Sequence, residues 1–135
     1  MISRSFLIGI SLLVVGHFER SFAADAKILS PFIGEWRGNG RAPCKRELEG
    51  EVLGPLEISS RFINQLSGEI GCHVKAVSQV GPGTVVTKLQ CVGGDDFETT
   101  AVLTLLQRKL VLVWTDSAED TLHKEVLERC PKGNP

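Results

Sequence analysis

From Phe32 onward, apolar and polar positions alternate in short runs that Gly, Pro, Asn and Asp interrupt. Side chains two apart point the same way in a strand, so this period predicts half-buried strands rather than helices. Phe32–Arg41 opens the series. In Arg46–Leu53, Glu47, Glu49 and Glu51 alternate with Leu48, Gly50 and Val52, and Gly54-Pro55 turns the chain into Leu56–Asn64. Gly68–Val77 and Thr84–Val92 flank the turn residues Val80-Gly81-Pro82-Gly83. Gly93-Gly94-Asp95-Asp96 leads into Phe97–Leu106, and Gln107-Arg108 into Lys109–Thr115. The expected fold is all-β: a small antiparallel up-and-down barrel, or a strongly curved sheet, of seven to eight strands.

Two hairpins carry their own register. Centred between Gly81 and Pro82, the first opposes Cys72 to Cys91, Val74 to Leu89 and Ala76 to Thr87. His73, Lys75, Lys88 and Gln90 then fall on the other face. The one discord is Lys75 opposite Lys88, a like-charge pair. The second hairpin, centred on Gln107-Arg108, pairs Leu105 with Leu110, Leu103 with Leu112 and Ala101 with Trp114, a continuous apolar face. A one-residue slip would turn every side chain over, so registers that segregate polar from apolar are stronger evidence than strand propensity.

The stretch Thr121–Arg129 reads two ways. As a helix, Ser117 caps it and Leu122, Val126 and Cys130 share a face. As a strand it would close a barrel against the first one, although Lys124 and Glu128 then share a face with Leu122 and Val126. The closing strand is favoured because an open sheet edge invites unwanted pairing.

The N-terminus differs from everything that follows. Arg4 precedes the apolar run Phe6–Val15, and small residues at Ser21 and Ala23 suit signal peptidase, so residues 1–23 read as a secretory signal peptide cleaved before Ala24. An apolar helix of that length reaches about 15 Å, half of a hydrocarbon core of about 30 Å, which argues against a membrane anchor. Residues 24–31 form a lead-in, 32–130 the barrel-like domain and 131–135 a C-terminal tail. Removing 23 residues from 135 leaves 112, one domain's worth. That leaves 13 basic and 15 acidic residues once Arg4, Arg20 and Glu19 are gone. No basic footprint for nucleic acid or anionic lipid survives in that balance.

All four cysteines, Cys44, Cys72, Cys91 and Cys130, lie in the mature part. An even count in an exported chain favours disulfides. Directly opposed strand residues sit about 4.5–5.5 Å apart, within disulfide reach. The hairpin register therefore selects Cys72–Cys91, leaving Cys44–Cys130. Without a C-x-x-C, and with the cysteines, His73 and His123 scattered singly, a zinc site is not expected.

Candidate chemistry is sparse. Nucleophilic hydrolysis needs a nucleophile, a base and an orienting group that converge. The mature chain offers only His73, on a polar hairpin face, and His123, and no G-x-S-x-G. Glu47, Glu49 and Glu51 read as a solvated strand face. Gly38-Asn39-Gly40 and Gly93-Gly94-Asp95 lack the helix that a phosphate-cradling loop precedes. The aromatic residues Trp36, Trp114, Phe32, Phe62 and Phe97, with no Tyr, make no stacking platform for sugars or single strands.

Phe32-Ile33-Gly34-Glu35-Trp36-Arg37-Gly38-Asn39-Gly40 has the form F-x-G-x-W-x-G-x-G. It resembles the opening of lipocalin-like and other calycin-type small barrels, in which a G-x-W tryptophan packs across one barrel end. With Glu69–Val74, Leu89-Gln90-Cys91 and Lys109–Trp114, the chain looks like a family of small exported proteobacterial proteins, mostly alphaproteobacterial, to which no activity is assigned. The resemblance spans Phe32 to Trp114. Cys44, Cys130 and the acidic stretch Glu47–Glu57 stand outside its pattern. It implies fold and export and transfers no catalytic or binding residue.

The expected protein is therefore a non-catalytic, periplasmic or secreted binding protein without cofactor or metal. One version holds a small apolar ligand inside a lipocalin-like barrel lined by Trp36, Val74, Leu89, Leu103, Leu112 and Trp114. The other is a protein-binding envelope module, such as an inhibitor of a hydrolase (protease or lysozyme). A barrel of about eight strands has an interior that side chains fill or that admits one small ligand, so the state of the interior separates the two. Non-reducing peptide mapping checks the cysteine assignment first: Cys72–Cys91 and Cys44–Cys130 are expected, and Cys44 joined to Cys72 would overturn it.

Overall fold

Because strands of period two must bury one face, this chain either stacks two sheets or rolls one sheet onto itself. In the computed structural model it does the latter. The structure describes residues 22–41, 44, 54–67, 70–93, 95–116 and 120–131. The expected signal peptide, apart from its last two residues, and the expected strand Arg46–Leu53 lie outside the described residues.

A short helix, α1 (Phe22–Leu29), and a 3-10 turn (Ser30–Phe32) lead into β1 (Gly34–Arg37). Then follow β2 (Leu56–Ile58), β3 (Phe62–Asn64), β4 (Gly71–Gly81), β5 (Thr84–Val92), β6 (Phe97–Leu106), β7 (Lys109–Asp116) and β8 (Thr121–Arg129). Every strand pairs antiparallel with the next, and β8 returns to β1, giving a closed eight-strand barrel. Closure removes the sheet edges that would otherwise offer unpaired backbone groups.

Several expectations need redrawing at their boundaries. Phe32–Arg41 is not one strand. Pro31 fixes the 3-10 turn, and β1 stops at Arg37, before Gly38-Asn39-Gly40. Leu56–Asn64 is two strands, because Ser59 caps a tight turn: its hydroxyl accepts from the backbone N–H groups of Arg61 and Phe62. The strand expected over Gly68–Val77 runs from Gly71 to Gly81.

The β6–β7 register is the expected one, with Ala101, Leu103 and Leu105 opposite Trp114, Leu112 and Leu110. On β4–β5, Cys72 faces Cys91 and Val74 faces Leu89 as expected, but Ala76 faces Lys88 and Val77 faces Thr87. The register shifts between Val74 and Ala76, so Lys75 is an extra residue with no partner on β5. The bulge removes the Lys75–Lys88 opposition, and it adds the local twist that bends a long hairpin around a small barrel. A second shift between Gln79 and Gly81 leaves Pro82-Gly83 as the turn, with Gly83 at φ 67°.

The segment Thr121–Arg129 is the closing strand, not a helix. Leu122 and Val126, the residues that made it look amphipathic, face outward and are 68% and 51% exposed. Its inward positions are His123, Glu125 and Leu127, opposite Trp114, Leu112 and Leu110 of β7. The cysteines pair as expected, Cys44 with Cys130 and Cys72 with Cys91.

One end of the barrel is covered by the N-terminal segment. Leu29 and Phe32 are buried in the common core, and Ile28, Pro31 and Phe32 share a cleft with Gly83 and Thr84 at the β4–β5 turn. Trp36 is buried at this end, its indole Nε1 donating to the Phe32 carbonyl at 2.9 Å. The Arg129 guanidinium lies 4.3 Å above the Trp36 ring and donates to the carbonyls of Ile33 (2.7 Å) and Pro31 (2.8 Å).

Just beyond β1, Gly38 passes so close to β8 that an added Cβ would lie 2.6 Å from Leu127 Cδ2 and 3.0 Å from the Val126 carbonyl. Leu127 is fully buried and has no room to yield. Gly38→Ala is therefore expected to destabilise the barrel by about 1–3 kcal/mol, the usual cost of overpacking, read as a lower urea midpoint with an unchanged slope.

Candidate functional site

An eight-strand barrel can hold a ligand only if its interior is not filled by side chains. The six residues expected to line it do come together in one core cluster, with Val74 at its partly buried margin. Leu103 and Leu112 are directly opposed and 0% exposed, Trp36 and Leu89 are 1% exposed, and Trp114 is 3% exposed. A void large enough for water would leave its walls open to that water. These walls are closed, as in a well-packed core.

The far end of the barrel is where the interior turns polar. Arg41, four residues past β1, is buried with its guanidinium fully sequestered. Its Nε and Nη2 grip both carboxylate oxygens of Glu125 at 2.7 and 3.0 Å. Nη1 donates to the carbonyls of Gly54 (3.1 Å) and Gln65 (2.6 Å), and Nη2 to that of Leu66 (3.3 Å). The fork thus spends its donors on β8, on the approach to β2 and on the chain leaving β3, three segments far apart in sequence. Gln65 accepts this role with its backbone at φ 62°.

One step along the inner face of β8 from Glu125, the imidazole of His123 stacks on the Trp114 indole, centroids 4.4 Å apart and planes 15° from parallel. Trp114 Nε1 and His123 Nε2 are buried and find no hydrogen-bond partner among the described residues. Leaving such groups unpaired costs about 1–3 kcal/mol each, so this polar spot is held in place by the packing around it. Nearby, Thr99 and Thr87 cover their hydroxyls by donating to the carbonyls of Thr115 and Ala101.

His73 lies away from all of this, exposed on the outer face of β4 with its ring 4.5 Å from that of Phe62. No nucleophile, base and orienting group converge among the described residues. Nor does any group of three or more His, Cys, Asp or Glu side chains there form a metal-sized cluster. Glu47, Glu49 and Glu51 lie outside the described residues.

On the outer wall, the strands β6, β7 and β8 present aliphatic residues where solvent-facing polar ones are usual. Val102 faces Val113, and Val111 faces Val126, all on the outward positions. Two clefts border this strip. One of about 570 Å³ is lined by Leu106, Gln107, Lys109, Val111, Lys124 and Val126. The other, of about 540 Å³, lies between Arg37, Gly38, Asn39, Lys109, Val126 and Glu128, with Arg41 also on its wall. Lys109 and Val126 line both, so the clefts adjoin across the outer face of β8.

Sequence reasoning missed Arg41 and Glu125, and it named His123 without placing it against Trp114. Arg41 has no local signature beyond the glycines before it. On β8, apolar periodicity points to the wrong face, since the inward one carries His123 and Glu125. No protein-family model, curated protein or solved structure matches this chain.

Breaking a buried ion pair leaves the survivor uncompensated, at a cost of about 3–5 kcal/mol. Arg41→Met is expected to lose that much stability, with Glu125 stranded. The double variant Arg41→Met with Glu125→Leu should recover most of it, as read from urea midpoints. Equal losses in single and double variants would show that the backbone carbonyl contacts, not the ion pair, dominate.

Proposed function

We propose that this is a non-catalytic, exported binding protein that acts on another protein rather than by carrying a ligand in its interior. The observation that carries the reading is the closed interior wall. Leu103, Leu110, Leu112 and Leu127 are 0% exposed, whereas a site for a drug-sized molecule needs about 300 Å³ or more of enclosed space. A rigid, covalently tied barrel with a packed core is instead a scaffold for surface recognition, the role that small inhibitors of envelope hydrolases (proteases or lysozymes) fill with comparable architecture.

The two disulfides support a periplasmic or secreted setting, since such bonds persist where thiols are not kept reduced. Among the described residues no helix is long and apolar enough to cross a membrane.

A second reading keeps one observation of its own. An eight-strand antiparallel barrel is compatible with a lipocalin-like binding fold, and Trp114 Nε1 and His123 Nε2 are unpartnered donors or acceptors at its far end. A small apolar ligand with a polar head would meet them there once the interior opened.

Native mass spectrometry of the protein recovered gently from its own host separates the two. A complex with a second polypeptide is expected. A bound mass of a few hundred daltons on the single chain would overturn the proposal in favour of the carrier reading.

A further inference from the structure

The outer groove combines an aliphatic floor with a cationic rim. Its floor is aliphatic: Val111 and Val126 face each other across β7 and β8, and Leu106 stands at one end, 58% exposed. Leu122, on the same outward row of β8, is 68% exposed. Exposed single hydrophobic residues are ordinary, but a contiguous strip at the bottom of a groove marks an interaction surface.

The rim is positive. Lys109 and Lys124 flank Val126, and Arg108 stands in the turn beside Leu106. Glu128 lies next to Lys109 but is engaged by Arg37 at 3.8 Å. The other carboxylate on the outward rows of these strands, Glu98, sits at the opposite end of β6 from Leu106. This local excess of cations contrasts with a whole-chain charge of −1.

The rim selects the occupant. A second copy docking the same face about a two-fold axis would bring Lys109, Lys124 and Arg108 against their own counterparts, and like-charge juxtaposition opposes that pairing. A lipid surface is poorly served, because Trp36 and Trp114 point into the core and the strip carries no aromatic anchor of the kind that membrane-interface proteins use. A polypeptide segment that alternates aliphatic side chains with carboxylates satisfies both floor and rim.

We infer that the β6–β8 outer groove, floored by Leu106, Val111 and Val126 and rimmed by Lys109 and Lys124, is the docking face for an acidic, aliphatic-bearing segment of a partner protein. This rests on the protein-binding reading above and names its surface. The aliphatic floor contributes affinity by burial, and the lysines set register and speed encounter. The same division of labour explains why Leu122 and Val126 face water on a strand whose inward positions take His123 and Glu125.

The test uses the full oxidised mature chain and two labelled ten-residue peptides, one alternating Val with Glu and one alternating Val with Lys. Fluorescence anisotropy should show saturable binding of the Glu peptide and none of the Lys peptide. Raising salt from 0.1 to 0.5 M should weaken it several-fold, as screening requires. Leu106→Ser with Val126→Ser, and separately Lys109→Glu with Lys124→Glu, should each raise Kd at least tenfold. All four side chains face outward, so urea midpoints should stay at the wild-type value and certify the fold.

Equal binding of both peptides, or undiminished binding by either double variant, would overturn the docking face. So would failure of the Glu peptide to bind, or preferential binding of phosphatidylglycerol vesicles. A native complex with a second polypeptide that survives both double variants would sink this surface while leaving the protein-binding reading standing. A small bound ligand in place of any polypeptide would instead sink that reading itself.

Discussion

Everything in this barrel depends on one short seam. Seven of the eight strand junctions are made between neighbours in sequence, but the eighth, β1 to β8, joins the two ends of the domain through only two register pairs, Trp36–Arg129 and Arg37–Glu128. Two register pairs are a weak clasp for a closed sheet, and the structure reinforces them from every side. Cys130 donates its backbone N–H to the Glu35 carbonyl at 2.8 Å, extending the ladder by one step. Arg129 lies over Trp36 and ties down the 3-10 turn, while Gly38 lets the chain press against Leu127. Where β1 has ended, Arg41 takes over as a side-chain crosslink to Glu125 and to three backbone carbonyls. The Cys44–Cys130 bond fastens the same region covalently.

What the sequence made legible is what short-range physics decides. The β6–β7 hairpin and the Cys72–Cys91 opposition follow from a tight turn plus a period of two, whereas β8 could be read only from the need to close a sheet edge. The elements that escaped are those set by distant partners. The bulge at Lys75 answers to barrel curvature and to Lys88 across the hairpin, and a pattern confined to β4 carries neither. Arg41 gains its role only because Gly54, Gln65, Leu66 and Glu125 converge on it, and nothing near residue 41 announces that. The outward turn of Leu122 and Val126 inverted the usual rule that apolar residues face the core. That inversion is the part of the candidate site that composition and periodicity hide most completely.

Inside and outside of the wall therefore exchange their ordinary characters along β8. The interior, where a calycin-type barrel would keep space, is packed at its middle and polar at one end, with an ion pair and a stacked indole–imidazole couple. The exterior carries the aliphatic groove. Apolar side chains thus appear in two places, packed in the core and exposed along the outer rows of β6 to β8.

The Cys44–Cys130 bond also changes what kind of object the chain is. Strands β2 to β8 all lie between those two cysteines, so covalently they form a ring, and α1, the 3-10 turn and β1 are a tongue laid into its gap. When the tongue lifts, the ring cannot unroll, because Cys44 and Cys130 keep their Cα atoms 5.6 Å apart. Opening and reclosing the barrel is then a local, intramolecular event at high effective concentration. It also restricts how two molecules can trade parts: a domain-swapped pair of oxidised chains would exchange tongues, since no strand of the ring is free to leave it.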